Sequence, residues 1–126
     1  MKDTKGLQIG NLLYYKGTDN HCEVSLIHGK NHYDCRDEYG SFIPNGEYEP
    51  IQLTQEWLLQ LGFKETAEDF LSIKTKKKGV YLEINLKTKR TILFDKGYVE
   101  LVFTKHVHQL QNLYFALTNK ELTLCQ

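Results

Sequence analysis

The stretch HVHQLQNLYFAL, residues 106–117, decides how this chain closes on itself. Apolar side chains recur in it at steps of three and four residues, which is the spacing of one face of an α-helix. The members of that face are Val107, Leu110, Tyr114 and Leu117. His106 and His108 are two positions apart, and such residues point to different sides of a helix. The stretch therefore predicts an amphipathic closing helix and argues against a paired-histidine site.

The end signals of this helix flank the stretch. Thr104 is a candidate N-cap, because its hydroxyl can accept hydrogen bonds from the amides of a first turn. Asn119 is a candidate end, because asparagine tolerates the left-handed conformation found after many helices. The closing helix is thus predicted over residues 104–118.

A second, shorter helix is predicted within residues 54–63. Thr54 offers the hydroxyl of an N-cap, and Gly62 suits the left-handed position of a Schellman ending. The side chains predicted to face the core are Trp57, Leu58 and Leu61.

Residues 6–53 divide into short apolar runs separated by turns rich in glycine and asparagine. The runs cover residues 7–15, 22–27, 32–35, 39–43 and 48–53. Four or five strands of this length, with a turn every eight to twelve residues, are typical of a small, strongly bent antiparallel barrel. An SH3-like barrel is the predicted form.

Residues 70–103 predict an antiparallel β-meander. The segment VYLEINL, residues 80–86, alternates strictly between apolar and polar side chains, as a half-buried strand does. With the closing helix, the fold class is α+β: an SH3-like barrel, a short helix, a meander and a C-terminal amphipathic helix. At 126 residues the chain is predicted to form a single compact domain.

The chain has 16 basic and 16 acidic side chains, so its formal charge is zero. That balance argues against a protein that holds nucleic acid through bulk charge alone. The charges are nevertheless separated along the sequence. Residues 1–63 hold five bases and nine acids, whereas residues 64–96 hold nine bases and five acids. The sequence predicts an acidic surface beside a basic one.

The three cysteines are Cys22, Cys35 and Cys125. Their odd number, and the lack of an apolar stretch behind a charged N-terminus, predict free thiols in a reducing cytoplasm. No run approaches the roughly 18 apolar residues that span a bilayer, so no membrane contact is expected.

A group of possible metal ligands lies early in the chain. Its members are His21, Cys22, His28, His32 and Cys35, followed by the charged residues Asp34, Arg36, Asp37 and Glu38. Zinc sites usually present two closely spaced pairs of ligands, and here only His28 and His32 have such spacing. Buried strand cysteines and a solvated turn are the simpler interpretation. A small metal-dependent nuclease built on this segment remains an alternative.

The sequence lacks the phosphate-binding, dinucleotide-binding, zinc-protease and hydrolase motifs whose spacing reflects their chemistry. It is therefore predicted not to be an enzyme, with no cofactor, no metal and no catalytic residue.

The meander carries the clearest candidate binding site, because basic side chains gather at the ends of its strands. The candidate contacts are Lys74, Lys76, Lys77, Lys78, Tyr81, Lys87, Lys89 and Arg90. Lysines beside a tyrosine would suit the backbone and bases of single-stranded or folded RNA. A lysine-rich face that keeps the protein soluble and protects a sheet edge is the competing interpretation.

Three blocks, LQIGNLLYY (7–15), EPIQLTQEWLLQLGF (49–63) and VHQLQNLYFALT (107–118, with Glu121-Leu122 after it), resemble a widespread family of small proteins from Bacteroidetes phages, prophages and host genomes. The resemblance runs over nearly the whole chain, and it supplies no catalytic residues. It implies a mobile-element protein that acts in the cytoplasm of the bacterial host.

The chain is also similar in size and character to phage anti-CRISPR proteins, in particular one directed at the type VI-B RNA-guided RNA nuclease. That resemblance implies a non-catalytic inhibitor whose partner is the host CRISPR effector protein, its guide RNA, or both. An SH3-like RNA-binding or protein-interaction module of a mobile element is the first alternative. Within the inhibitor hypothesis, the acidic first half could also mimic nucleic acid.

Overall fold

The computed structural model describes residues 6–28, 33–43 and 47–124. These residues form ten strands and two helices, arranged as two antiparallel sheets and a C-terminal helix, which confirms the α+β class. The chain divides into two compact units. The N-terminal unit comprises residues 1–52 and 106–112, and the meander unit comprises residues 53–105 and 113–126. The prediction of a single compact domain stays a prediction.

The N-terminal unit contains one five-stranded sheet. Its strands are β1 (Leu12–Tyr15), β2 (His21–Ile27), β3 (Tyr33–Asp37), β4 (Phe42–Ile43) and β5 (Tyr48–Glu49). They follow the order β4-β3-β2-β1-β5, and every neighbouring pair is antiparallel. Among the described residues no closed barrel is found, since β4 and β5 are the edges of an open sheet. The predicted strands are thus confirmed, whereas their predicted closure into a barrel is not.

Alternation along these strands places one face of the sheet in a core. The register sets Leu13 beside Cys22 and Val24 beside Cys35, and all four side chains are almost fully buried. Leu7 and Tyr48 complete the cluster. Both cysteines are therefore packing residues of this core, as small apolar side chains often are.

The first turns of α2 (Val107–Thr118) are joined to β1 by side-chain amides. Gln111 Oε1 accepts a hydrogen bond from the Leu12 amide at 2.9 Å, and Gln111 Nε2 donates to the Gly10 carbonyl at 3.2 Å. Asn112 Nδ2 donates to the Gly6 carbonyl at 2.7 Å, and Asn112 Oδ1 accepts from Asn11 Nδ2 at 2.8 Å. We call Asn11, Gln111 and Asn112 the amide clamp.

The start of α2 corrects the predicted N-cap. The helix begins at Val107, and the preceding amide of His106 is satisfied by Gln109 Oε1 at 3.1 Å. Thr104 is buried instead, where its hydroxyl accepts a hydrogen bond from Thr91 Oγ1 at 2.9 Å. The predicted end is confirmed, because Asn119 has a φ of 59° and donates its amide to the Phe115 carbonyl.

The buried face of α2 also differs from the predicted one. Val107 and Leu110 are fully buried as expected, but Leu117 is 40% exposed and Tyr114 is only partly buried. Gln111, which is not among the apolar residues of the predicted face, is buried. Helical periodicity did not predict the burial of Gln111. A side-chain amide can be buried at little desolvation cost when, as here, both its oxygen and its nitrogen form hydrogen bonds.

The meander unit contains the second sheet and α1 (Gln55–Gln60). Its strands are β6 (Lys64–Ala67), β7 (Phe70–Lys74), β8 (Tyr81–Asn85), β9 (Arg90–Phe94) and β10 (Tyr98–Phe103). They lie in sequence order and are antiparallel throughout. The predicted meander is confirmed, except that β6 was missed because its residues are all exposed and lack alternation.

The ends of α1 agree with the sequence. Thr54 Oγ1 accepts a hydrogen bond from the Trp57 amide at 3.2 Å. At the other end Gly62 has a φ of 96°, and the Phe63 amide donates to the Leu58 carbonyl at 2.9 Å, as a Schellman motif requires. The predicted core residues Trp57, Leu58 and Leu61 are buried.

In the described part of the chain, neither helix is long and apolar enough to span a membrane.

We predict that replacing Gln111 by Ala lowers the free energy of unfolding by about 2–3 kcal/mol, because the buried Leu12 amide and Gly10 carbonyl lose their partner. Urea unfolding at neutral pH measures the change. The matched control is Gln60→Ala on the exposed side of α1, which should change stability by less than about 0.5 kcal/mol. Equal effects of the two substitutions would contradict a stabilising role for the clamp.

Candidate nucleic-acid interface

The register of the second sheet separates the predicted lysines into two groups. Lys74 lies opposite Tyr81, so the loop of residues 75–79 extends from this end of β8. Lys87, Lys89 and Arg90 follow Asn85 at the other end of the same strand. A strand of this length spans roughly 14 Å, so the two groups of the predicted site lie about that far apart.

The first group is joined by residues from other parts of the chain. The β9–β10 turn lies at the same end, since Phe94 pairs with both Tyr81 and Tyr98. Lys77 Nζ is 3.9 Å from Asp95 in that turn, which also carries Lys96. We call this end of the sheet the lysine end. Its basic residues are Lys74, Lys76, Lys77, Lys78, Lys96 and Lys120.

Lys120 belongs to the lysine end because of its contact with Lys76. That side-chain contact and the repulsion between the two ammonium groups lower the pKa of Lys120. A like charge nearby disfavours the charged form, and an anion placed between two such groups relieves the repulsion. Asp95 is an acidic side chain near Lys77, and Glu121 follows Lys120 in the sequence. The lysine end is therefore a strongly positive surface within a chain of zero formal charge.

The opposite end of the sheet has a balanced charge and internal partners. Lys89 Nζ donates to the Leu53 carbonyl at 3.1 Å, and Lys89 has a φ of 64° in a tight turn. Arg90 forms an ion pair with Glu100 at 3.2 Å. The β6–β7 turn adds Glu68 and Asp69 at this end. Lys89 thus has a structural role, and Lys87 has acidic neighbours.

Aromatic rings form a row across the sheet beside the lysines. Tyr81 and Phe94 stack at a centroid distance of 4.6 Å with an interplanar angle of 10°. Phe94 and Tyr98 are 6.3 Å apart and tilted by 45°. One face of Tyr81 is therefore covered by Phe94, whereas Tyr98 is 70% exposed. Tyr98 is the ring of this row best placed to stack with a ligand, and Tyr81 supports it through Phe94.

The next row of the same sheet face is acidic. Glu83 lies opposite Ile92, and Ile92 lies opposite Glu100. Partial burial raises the pKa of Glu83. Glu100 of this row is paired with Arg90 at 3.2 Å, so the row carries less negative charge than its two carboxylates suggest.

Sequence reasoning missed Phe94, Lys96 and Lys120. The sequence Asp95-Lys96-Gly97 is typical of a hairpin turn, and pairing the strands on either side of it places Phe94 and Lys96 at the Tyr81 end of β8. Lys120 gave no local signal, because it reaches the lysines only through tertiary packing.

The alternative metal site is not assembled among residues 6–28, 33–43 and 47–124, which contain no group of three metal-ligating side chains. His28 Nε2 pairs with Asp34 Oδ2 at 2.8 Å. Asp37 Oδ1 accepts from the amides of Tyr39 and Ser41 at 2.9 and 2.8 Å, and so organises a turn. His32 lies outside the described residues.

The two buried cysteines of the N-terminal unit form a hydrogen-bonded thiol pair. Cys22 Sγ also approaches the Leu13 carbonyl at 3.5 Å. The contact with Cys22, followed by burial, raises the pKa of the Cys35 thiol far above its ordinary value. Cys35 is fully buried among the apolar side chains of this core, which agrees with its packing role.

His106 and His108 lie closer together than helical spacing predicts. Their rings stack at 5.8 Å with an interplanar angle of 11°, because His106 precedes the first residue of α2. Within the described structure, Nδ1 of the buried His108 has no hydrogen-bond partner. Burial, with a smaller contribution from His106, lowers the pKa of His108 to about 4. His108 is thus a neutral core residue at pH 7.

Comparison of the chain with protein-family models, with curated proteins and with solved structures finds no match in any of the three.

We predict that His108 makes stability fall as the pH is lowered. Above pH 6.5 the side chain is neutral in both states and contributes nothing. Between pH 6.5 and about 4 only the unfolded state binds the proton, so the free energy of unfolding falls by about 3 kcal/mol over this window. Urea unfolding of the wild type and of His108→Gln at pH 7 and pH 4.5 measures the difference.

The matched control for this prediction is His106→Gln, which should keep the wild-type pH dependence. Carboxylates also titrate in the window, but they contribute equally to all three proteins. An unchanged pH dependence in His108→Gln would show that His108 does not carry the effect.

Proposed function

We propose that this protein is a non-catalytic RNA-binding inhibitor that holds single-stranded RNA at the lysine end of its second sheet. The observation that carries the proposal is the juxtaposition of six lysines with the exposed ring of Tyr98 at one end of one sheet. Phosphates bind ammonium groups electrostatically, and unpaired bases stack on aromatic rings whatever their sequence. The ammonium groups and the exposed tyrosine ring both lie at this one end of the sheet.

The geometry favours single-stranded RNA over a duplex. Tyr98 projects from the last strand of the sheet, where an unstacked base can reach its ring. Paired bases within a duplex are not available for such stacking, and duplex RNA is read through its shape and backbone.

The biological setting of the proposal is inhibition of bacterial defence. The chain resembles phage and prophage proteins of Bacteroidetes and phage anti-CRISPR proteins, as described above. The partner is then an RNA-guided RNA nuclease of the host, bound through its guide RNA, and the protein acts in the cytoplasm of the infected cell. A contact with exposed guide RNA blocks loading or target pairing without any catalytic group in the inhibitor.

A second candidate function is that of an SH3-like protein-interaction module of a mobile element. It is favoured by exposed aromatic side chains in the N-terminal unit, where Tyr39 is 84% exposed and Phe42 is 50% exposed. Such rings are common in protein interfaces. A module of this kind would bind its partner through these residues and would be indifferent to changes at the lysine end.

We predict that Tyr98→Ala weakens binding of a single-stranded RNA by about 5- to 150-fold, because one base–ring stack is worth about 1–3 kcal/mol. Fluorescence anisotropy with a labelled oligonucleotide measures the dissociation constant. Tyr39→Ala is the matched control, since it removes an equally exposed tyrosine from the N-terminal unit and should leave the affinity unchanged. A larger loss for Tyr39→Ala would place the RNA contact in the N-terminal unit and contradict the proposed site.

We predict that the triple variant Lys76→Ala, Lys77→Ala, Lys78→Ala loses RNA affinity and has a flatter salt dependence. Three lost phosphate contacts should reduce the slope of log K against log salt by about 2 for a single strand. The same variant should lose inhibition of guide-dependent RNA cleavage by the purified nuclease.

The control for this prediction is the triple variant Lys16→Ala, Lys64→Ala, Lys87→Ala, which removes the same charge away from the lysine end. It should retain most of the affinity and the inhibition. Full inhibition by the lysine-end variant would reject this surface as the functional contact. Loss of RNA affinity with inhibition retained would separate the RNA site from the inhibitory one.

A further inference from the structure

A surface depression lies on the second sheet, away from the lysine end. Arg90, Glu100, Leu101 and Phe103 line it, and its volume is about 190 Å³. The register of β10 against β9 shifts between Glu100 and Phe103, so a β-bulge lies at this position. A bulge bends its strand and redirects side chains, and bulges are frequent at sheet edges beside functional sites. β10 is such an edge.

The depression lies on the same face of the sheet as the aromatic row. Phe103 pairs with Arg90, and Tyr98 pairs with Phe94. Positions 90 and 94 of β9 are separated by an even number of residues, so these four side chains project from one face. Their separation along the strand is roughly 13 Å. A single strand of RNA that stacks on Tyr98 and follows β10 therefore reaches the depression.

The walls of the depression combine a ring, a hydrogen-bond donor and a hydrogen-bond acceptor. The Phe103 side chain is 62% exposed, so a planar base can stack on its ring. Arg90 Nη1 is 3.2 Å from Glu100 Oε1, and this contact occupies a minority of the hydrogen-bonding positions of the two groups. Because the ion pair has no net charge, it does not repel a strand that carries phosphates.

The size of the depression fits a nucleobase. A closed apolar cavity of about 150 Å³ holds benzene. An open depression of about 190 Å³ therefore has room for a base that remains partly outside it.

Guanine is the nucleobase whose hydrogen-bonding edge matches Arg90 and Glu100. Its Watson–Crick edge presents the O6 acceptor beside two adjacent donors, N1–H and N2–H. A carboxylate can accept both of these hydrogen bonds while a guanidinium donates to O6. Adenine, cytosine and uracil each present a single donor group on this edge. Arginine with guanine is also the commonest specific contact between side chains and DNA bases.

We propose that this depression binds a guanine base of an RNA strand. Phe103 stacks with the base, Glu100 accepts hydrogen bonds from N1–H and N2–H, and Arg90 donates to O6. We call these three residues the guanine pocket. The inference rests on the proposed function and deepens it, because the lysine end and Tyr98 bind RNA of any sequence, whereas the guanine pocket selects one base.

The position of the pocket favours a guanine within RNA over a free guanine nucleotide. A free nucleotide needs a group that binds its phosphate, and Arg90, the basic residue that lines the pocket, is already paired with Glu100. An RNA strand has its phosphates bound at the lysine end instead. Stacked bases are about 3.4 Å apart along a strand, so bases at Tyr98 and in the pocket belong to an extended, unstacked segment.

Fluorescence anisotropy with a labelled oligouridine, and with the same oligomer carrying one guanine at each position in turn, tests the proposal. The wild type should bind the best guanine-containing oligomer about 5- to 150-fold more tightly, which is the discrimination expected of one bidentate contact. Inosine at the same position lacks the N2 amino group and should lose most of that gain. Glu100→Gln should bind the two oligomers equally, because the carboxylate that accepts both hydrogen bonds is gone.

The matched control is Glu83→Gln, which neutralises the other carboxylate of the same row and should keep the preference for guanine. Phe103→Ala serves as a second variant and should weaken binding of the guanine-containing oligomer by about 5- to 150-fold, the effect of one lost stack. Circular dichroism confirms that all the variants are folded.

The outcomes separate this inference from the proposed function. A wild type that binds oligouridine through Tyr98 but has no preference for guanine overturns the guanine pocket and leaves the proposed function standing. A wild type that binds no oligomer overturns both. Two other results also overturn the pocket. Guanosine monophosphate that competes as well as the guanine-containing oligomer would assign it to a free nucleotide. A Phe103→Ala variant that keeps its RNA affinity but loses affinity for the RNA-free nuclease would assign it to a protein partner.

Discussion

The two hydrogen bonds of the Gln111 side chain are the constraint on which the N-terminal unit depends. They join the first turns of α2 to β1 across about a hundred residues of sequence. The Val107 amide adds a bond to the Ile51 carbonyl at 2.8 Å, and Gln52 forms a bridge with His106. Because these partners lie near opposite ends of the chain, the unit is complete only once residues 106–112 are present. Such long-range closure is slow in folding and specific in outcome.

The candidate site depends on a different constraint, the register of the second sheet. A strand places its two flanking turns at opposite ends, so the lysines of residues 74–78 and the basic residues of 87–90 lie at opposite ends of β8. Charge balance then distinguishes the ends. Lys89 and Arg90 are engaged by Leu53 and Glu100, whereas Lys76 and Lys120 at the lysine end lie close enough to repel one another. The same sheet leaves an apolar strand, β10, at its edge, next to the aromatic row.

The polar groups buried in the N-terminal unit are structural. Gln111, Asn11 and the two thiols form hydrogen bonds within the core, and His108 is held neutral there. Buried polar groups that are satisfied fix a unique packing at little cost, and a buried histidine makes stability depend on pH. Of the residues that first suggested metal or acid–base chemistry, Cys22 and Cys35 pack in the core. The buried His108 is the residue expected to make stability fall at low pH.

Local patterns in the sequence determined the α+β class and the strict alternation of β8. They also determined both ends of α1, capped by Thr54 and Gly62, and the end of α2 at Asn119. Each depends on neighbours a few residues away, so each can be read from the chain alone. Tertiary structure decided the burial of Gln111, the exposure of Leu117, the stacking of His106 on His108, and the arrival of Lys120 beside Lys76. These features depend on which distant groups satisfy a hydrogen bond or share a charge, and no local period encodes that choice.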